Sequence, residues 1–204
     1  MTRKFTGDTL LVATHNTGKL EEIAALLAPL GVRAVGADGY DLPEPAELGT
    51  TFRANALTKA QAAAAATGLP ALSDDSGLSV EAFGGFPGVY TADWAETPNG
   101  RDFPMAMEKV WSRLQRQKAP APYVAHFCCT LALAWPDGHA ELFEGRIRGQ
   151  ITWPMRGDQG HGYDPIFMPD GHDVTFAQMD RWEKNKLSHR GRAFELLMAG
   201  CFDR

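Results

Sequence analysis

Residues 9–20 read TLLVATHNTGKL, a short apolar run followed by a polar loop. An apolar run of the length seen at 9–13 is typical of a buried strand. After the loop, apolar residues recur at helical spacing, at Leu20, Ile23, Leu27 and Leu30. Gly31 then supplies a stop signal. The stretch therefore predicts a strand, a loop and a helix in succession, the unit from which α/β proteins are built.

The rest of the chain continues this alternation of strand and helix signals. Thr50 or Thr51 can cap a second helix that runs to about Thr67. Further helices are predicted at 103–117 and after Ser188, and strands at 69–73, 123–135 and 142–151. The strand at 69–73 is expected to stop at Asp74, because consecutive polar residues and Gly77 follow it, and residues 78–82 are expected to be extended again. The pattern favours an α/β fold with a mixed sheet flanked by helices.

Composition limits the kinds of partner. The 204 residues include 20 basic and 25 acidic ones, for a net charge of −5, and no basic tail. This balance argues against nucleic acid or an anionic membrane as a partner, whereas a few lysines at one site still suit a small anion. Cys128, Cys129 and Cys201 fit neither a disulfide framework nor a zinc site. Without a signal peptide or a long apolar window, a cytoplasmic protein is expected.

The loop Thr14-His15-Asn16-Thr17-Gly18-Lys19 has the composition of an anion site. Backbone N–H groups and the dipole at a helix N-terminus favour a phosphate, and Lys19 adds a positive charge. The loop is not a P-loop, because that pattern requires Gly at position 13 and Ser or Thr at position 20. The chain has Ala13 and Leu20 there. An ordinary strand-to-helix connection with an exposed lysine is the alternative interpretation.

Asp74-Asp75-Ser76-Gly77 is a candidate cation site. Mg²⁺ takes one or two protein carboxylates and completes its shell with water and substrate oxygens. In a strand, adjacent side chains point to opposite faces, so the two carboxylates are expected to differ in role. One would face the site, and the other would hold the loop or a water molecule. A solvated acidic turn is the alternative interpretation.

Two later segments carry groups suited to binding a ligand. Gly160-His161-Gly162-Tyr163-Asp164-Pro165 offers glycines for close approach, an aromatic face and a carboxylate. Lys184 and Ser188-His189-Arg190 offer donors for a carbonyl oxygen or a phosphate. A Gly-rich turn and a charged helix start are the ordinary alternatives. The candidate groups are predicted at strand ends and helix starts, where α/β sheets bind ligands.

Taken in order, six motifs resemble the inosine/xanthosine triphosphate pyrophosphatase family. They are THNTGK at 14–19, FRANALTK at 52–59, DDSGL at 74–78, GGFPGVY at 84–90, GYDPIF at 162–167, and EK at 183–184 with SHR at 188–190. The resemblance extends over residues 9–199, nearly the whole chain. The order of the motifs is more specific than any one of them.

The resemblance implies both a fold and an activity. The fold would be a single ITPase-like domain over residues 1–204, an elongated mixed sheet with flanking helices and two lobes around a deep central groove. The activity would be Mg²⁺-dependent hydrolysis of ITP, dITP and XTP to the monophosphate and pyrophosphate, which cleanses the nucleotide pool. A homodimer is also implied. Two alternatives stay open: a pyrophosphatase for other modified nucleoside triphosphates, and a non-catalytic nucleotide sensor.

The resemblance also implies roles for particular residues. Asp75 would be the catalytic carboxylate at the metal and the attacking water, and Glu47, or its rival Glu44, the second metal ligand. The residues implied for the phosphates are Thr14, His15, Asn16, Thr17, Gly18, Lys19 and Lys59. The residues implied for the nucleoside are Ser76, His161, Gly162, Tyr163, Asp164, Lys184, His189 and Arg190. The family commonly has Phe at the position of His161. An imidazole can still stack on a base, so activity is expected.

Overall fold

The structure, a computed structural model, describes residues 2–14, 17–40, 42 and 49–202. Its strands are β1 (Thr9–Val12), β2 (Arg33–Gly36), β3 (Ala71–Val80), β4 (Glu96–Thr97), β5 (Gly100–Arg101), β6 (Val124–Ala134), β7 (Ala140–Ile151) and β8 (Phe167–Pro169). Its α-helices are α1 (Thr17–Leu27), α2 (Phe52–Thr67), α3 (Phe103–Arg116), α4 (Arg181–Leu187) and α5 (His189–Cys201). None of the helices in these described stretches is long and apolar enough to cross a membrane.

Six of the strands form one sheet in the order β2-β1-β3-β6-β7-β8. β1 pairs in parallel with β2 and with β3, where Leu11 lies opposite Ala71. β7 pairs antiparallel with β8. The predicted mixed sheet with flanking helices is therefore confirmed. β4 and β5 form a separate two-stranded ribbon.

The chain divides into two compact units. The first comprises Met1–Asp75, Thr130–Glu144 and Ala193–Arg204, and the second Ser76–Cys129 and Gly145–Arg192. β3, β6, β7 and α5 each contribute residues to both units. Within β3, the change of unit falls between Asp75 and Ser76, inside the acidic motif.

Small side chains let α2 pack closely within the first unit. Its buried alanines share a core cluster with Leu11, Ala71 and Ala132, and they are Ala56, Ala60, Ala63 and Ala64. The small alanine side chains allow the helix to pack closely against the strands. Only the alanines on one side of the helix are buried, as the 3.6-residue period requires.

Both ends of α2 are capped, with Thr51 as one of the two predicted N-caps. The Thr51 hydroxyl accepts a hydrogen bond from the Ala54 N–H at 3.1 Å. At the other end, Gly68 has a φ of 69° and donates its N–H to the Ala64 carbonyl oxygen. Each contact satisfies a backbone group that the helix leaves unpaired at its terminus.

We expect a Thr51→Ala variant to lose about 1 kcal/mol of unfolding free energy, because the first turn of α2 loses its side-chain acceptor. Thr51→Ser keeps that acceptor and is the matched control. Thermal and urea unfolding, followed by circular dichroism, measure both variants. Equal stability of the Ala and Ser variants would contradict the role of the cap.

α1 ends one turn earlier than the apolar spacing predicted. It stops at Leu27, and a 3₁₀ turn over Ala28–Leu30 follows. Pro29 lacks the N–H that another α-helical turn would need, so the helix cannot continue regularly. Gly31 closes the turn with a φ of 69°, as predicted, whereas Leu30 is 36% exposed instead of entering the core.

β3 does not stop where the sequence predicted. It runs without interruption from Ala71 to Val80, so Asp74 and Gly77 lie inside a strand and not in a turn after it. The prediction rested on local composition, in which consecutive polar residues indicate a turn. Ammonium groups from distant segments pair with the buried carboxylates, and these partners allow the strand to continue through polar residues.

Aromatic packing builds the core of the second unit. Phe127 of β6 lies 4.6 Å from the ring of Phe167 and 5.9 Å from that of Phe176, between ring centroids. α3 begins where predicted, with the Asp102 carboxylate accepting the Met105 N–H at 2.9 Å. The final helix also begins as predicted, because the Ser188 hydroxyl accepts the N–H of Gly191.

Candidate functional site

In the first unit, each carboxylate of the acidic motif has a lysine beside it. Asp74 Oδ1 lies 2.8 Å from Lys19 Nζ, and Asp75 Oδ1 lies 4.0 Å from Lys59 Nζ. Both aspartate side chains are buried. The two carboxylates thus differ in partner and in the distance to it.

The two lysines, which the resemblance implied for the phosphates, come from two different helices. Lys19 lies in the first turn of α1, whose N-terminal backbone N–H groups lack partners within the helix. Thr17 and Gly18 precede it and are exposed, while Thr14, two residues after the end of β1, is half-buried. Lys59 lies on the buried side of α2. His15 and Asn16, and both candidate metal ligands Glu44 and Glu47, lie outside the described residues.

One contact in this region was not predicted from the sequence. Lys19 pairs with Asp74, the neighbour of Asp75 in β3. Lys59 lies beside Asp75. The sequence gives no signal for the Lys19–Asp74 contact, because 55 positions along the chain (74 minus 19) separate the two residues.

In the second unit, one carboxylate oxygen organises the glycine-rich loop. Asp164 Oδ2 accepts a hydrogen bond from Lys184 Nζ at 2.6 Å and another from the His161 N–H at 2.9 Å. Asp164 and Lys184 are both buried. Gly160 has a φ of 73°, and a Cβ there would lie 2.1 Å from the same oxygen. The loop can approach the carboxylate this closely only with glycine at position 160.

The start of α5 contributes two more buried polar side chains. Arg190 Nη2 donates to Ser76 Oγ at 3.3 Å. The His189 ring stacks on Phe127 with 4.9 Å between centroids and 14° between planes. Arg190 and Ser76 are thus brought together although 114 positions separate them in sequence. Both belong to the set of nucleoside-binding residues implied by the resemblance.

The Tyr163 side chain is buried and does not offer an open stacking face. Its side chain is 1% exposed, and its hydroxyl donates to the Thr91 carbonyl oxygen at 2.9 Å. Phe103 meets the ring edge-on, and burial raises the pKa of the Tyr163 phenol. His161, two residues earlier, is exposed. The exposed aromatic group of the loop is therefore His161. The Tyr163 side chain anchors the loop to Thr91 and Phe103.

Thr91 is a supporting residue that sequence reasoning missed. Its hydroxyl accepts the Leu78 N–H from β3 at 2.9 Å and donates to the Gly88 carbonyl oxygen. Its own carbonyl oxygen accepts from Tyr163. Thr91 thereby connects the strand that carries Ser76 with the glycine-rich loop. A threonine in a Gly- and Pro-rich segment carries no local signal of such a role.

Comparisons with known proteins agree on one family. The model of the Ham1 family matches residues 10–200. The chain is 64% identical over 202 residues to the dITP/XTP pyrophosphatase of Ruegeria pomeroyi, with 99% of each chain covered. It is 52% identical over 210 residues to the dITP/XTP pyrophosphatase of Rhizobium meliloti, with 98% of each covered. A solved HAM1 protein from Coxiella burnetii is similar in structure, with a TM-score of 0.87, 36% identity, and coverage of 94% of this chain and 96% of that one.

Proposed function

Because this chain belongs to the Ham1 family, we propose that it hydrolyses the non-standard purine nucleoside triphosphates ITP, dITP and XTP to the monophosphate and pyrophosphate. The observation that carries the proposal is the pairing of Asp75 with Lys59 at a buried position of β3. A buried carboxylate beside an ammonium group suits a reaction that must activate water next to negatively charged phosphates. Relatives as similar as 64% identical bear the name dITP/XTP pyrophosphatase, which supports the same assignment.

In the proposed reaction, positive groups offset the charge of the triphosphate. Lys19 and Lys59 supply two ammonium groups, and the N-terminus of α1 supplies backbone donors. Further negative charge develops on the phosphate oxygens as water attacks the α-phosphorus. Donors already fixed in a partly buried site stabilise that charge without reorganising. Thr14, His15, Asn16, Thr17 and Gly18 would hold the phosphates beside Lys19.

Asp75 would orient the attacking water and take its proton. A carboxylate acts as a general base when it lies within hydrogen-bond reach of the water. Lys59, 4.0 Å from Asp75 Oδ1, favours the ionised carboxylate that such a base requires. Proton transfer to Asp75 and charge stabilisation by Lys59 would then occur side by side.

The acidic motif also fits a magnesium ion. Mg²⁺ requires only one or two protein carboxylates, because water and substrate phosphates complete its shell. Among the described residues, no group of three or more His, Cys, Asp and Glu side chains is arranged to hold a metal. Asp75 would be one ligand, and Glu47, with Glu44 as the rival, the other. When bound, the ion would neutralise phosphate charge and lower the pKa of a bound water.

The purine would be recognised by residues of the second unit. Ser76, His161, Gly162, Tyr163, Asp164, Lys184, His189 and Arg190 are the proposed nucleoside-binding residues. His189 or Arg190 would donate to the 6-keto oxygen that ITP and XTP share. ATP carries an amino group there, so a buried donor would face another donor and lose its partner. The exposed imidazole of His161 would stack on the base.

A substrate panel tests the proposal. Purified protein is incubated with ITP, XTP, GTP, ATP and a modified pyrimidine triphosphate, with and without Mg²⁺, and the products are identified. We expect pyrophosphate and monophosphate from ITP and XTP in the presence of Mg²⁺, and ATP turnover at least ~10²-fold lower. Preferred cleavage of the pyrimidine would favour a different pyrophosphatase. Nucleotide binding without any pyrophosphate release would favour a sensor.

Three further expectations belong to the same proposal. The first is a homodimer, which sedimentation equilibrium of the purified protein measures directly. The second is a cytoplasmic location, where the nucleotide pool to be cleansed resides. The third is the single two-lobed domain implied by the resemblance.

A further inference from the structure

Asp74 has no assigned part in the reaction, yet its side chain is the more buried of the two acidic-motif residues. It is 1% exposed, against 8% for Asp75. Its Oδ1 is in direct contact with Lys19 Nζ at 2.8 Å, whereas the Lys59–Asp75 distance is 4.0 Å. The tighter of the two ion pairs therefore involves the carboxylate without a proposed catalytic role.

Strand geometry prevents Asp74 from duplicating the role of Asp75. The two side chains leave β3 on opposite faces, so one carboxylate directed at the reacting water excludes the same direction for the other. Asp74 instead faces Lys19, in the first turn of α1. The Lys19 side chain has four flexible carbons and is 21% exposed. Without a partner, its ammonium group would sample many rotamers.

We propose that Asp74 is a positioning residue that holds the Lys19 ammonium at the N-terminus of α1, ready for the triphosphate. The inference rests on the proposed function, because it requires Lys19 to contact phosphate. An ammonium group has three N–H donors, so a contact with Asp74 is compatible with donation to phosphate oxygens. Fixing Lys19 before substrate arrives places the charge where the transition state needs it.

This role predicts that loss of the Asp74 carboxylate lowers kcat without raising KM. The Asp74 carboxylate partly cancels the charge of Lys19, so its removal does not weaken the general attraction of the site for triphosphate. Removal does take away the 2.8 Å contact that orients the Lys19 ammonium, and misplacement of a catalytic group by about 1 Å can cost ~10²-fold in rate. For Asp74→Asn we therefore expect kcat for ITP to fall ~10- to 100-fold while KM does not rise.

A double-mutant cycle distinguishes positioning from general structural support. The variants are Asp74→Asn, Lys19→Met and the combination, compared by kcat/KM for ITP and by thermal unfolding. If Asp74 acts through Lys19, Asp74→Asn has no further effect once Lys19 is Met. Ser73→Ala is the control, because Ser73 is buried next to Asp74 and its hydroxyl donates to the Ala56 carbonyl oxygen. Ser73→Ala should change kcat/KM by the same factor whether residue 19 is Lys or Met.

The outcomes separate this inference from the proposed function. If Lys19→Met retains full kcat/KM, the phosphate role of Lys19 fails, and the positioning of Lys19 fails with it. If Lys19→Met is impaired and Asp74→Asn lowers kcat/KM by the same factor in both backgrounds, only the positioning role is overturned. Should Asp74→Asn not fold alone, Asp74→Glu replaces it in the same cycle, since it keeps a charge but displaces the oxygens.

Discussion

The Asp75→Asn variant should lose at least ~10²-fold of its ITP turnover, because general-base action typically contributes ~10²–10⁴-fold. Asparagine has nearly the same shape but cannot take a proton from water. It is also a poorer ligand for Mg²⁺ than a carboxylate, so the loss increases if the ion is released as well. Initial rates of pyrophosphate release at saturating ITP and Mg²⁺ measure the effect.

Two controls show whether such a loss comes from the chemistry. Asp93→Asn changes an exposed aspartate of the second unit and should keep the original rate. Equilibrium binding of ITP to Asp75→Asn should persist, because Lys19, Lys59 and the nucleoside-binding residues are unchanged. Near-normal turnover by the Asp75→Asn enzyme would rule out Asp75 as the general base.

Elements with strong local signals were predictable from sequence. The cap at Thr51, the left-handed Gly68 and the buried alanines of α2 all follow from spacing and capping chemistry within one helix. The prediction made α1 one turn too long, and the cause is equally local. It followed the apolar spacing to Leu30, although Pro29 ends the regular helix before that residue. Local rules apply well where backbone groups and neighbouring side chains decide the structure.

Long-range contacts decided the features that were not predictable. A turn at Asp74 was the natural expectation from composition, but Lys19 and Lys59 arrive from separate helices and allow a continuous strand. Tyr163 shows the same limit. Its sequence context indicated an open aromatic face, and the tertiary structure buries the ring against Phe103. The residue types of the candidate site were predictable, and their pairings were not.

The buried Asp164–Lys184 pair should make a large contribution to the stability of the second unit. Removing one partner leaves an uncompensated buried charge, which typically costs about 3–5 kcal/mol of unfolding free energy. We expect this loss for Asp164→Asn and for Lys184→Met, both of which break the 2.6 Å contact. For a chain of this size the thermal midpoint would fall by roughly 6–20 °C.

A second ion pair in the same unit provides a matched comparison. Arg148 and Asp170 are also 2.6 Å apart, but their side chains are 54% and 50% exposed. An exposed pair contributes at most about 1 kcal/mol, so Asp170→Asn should scarcely change the midpoint. Replacing both buried partners, as Asp164→Leu with Lys184→Met, should cost less than either single change, because no charge is left buried. Equal small losses for Asp164→Asn and Asp170→Asn would mean that burial does not determine the strength of these contacts.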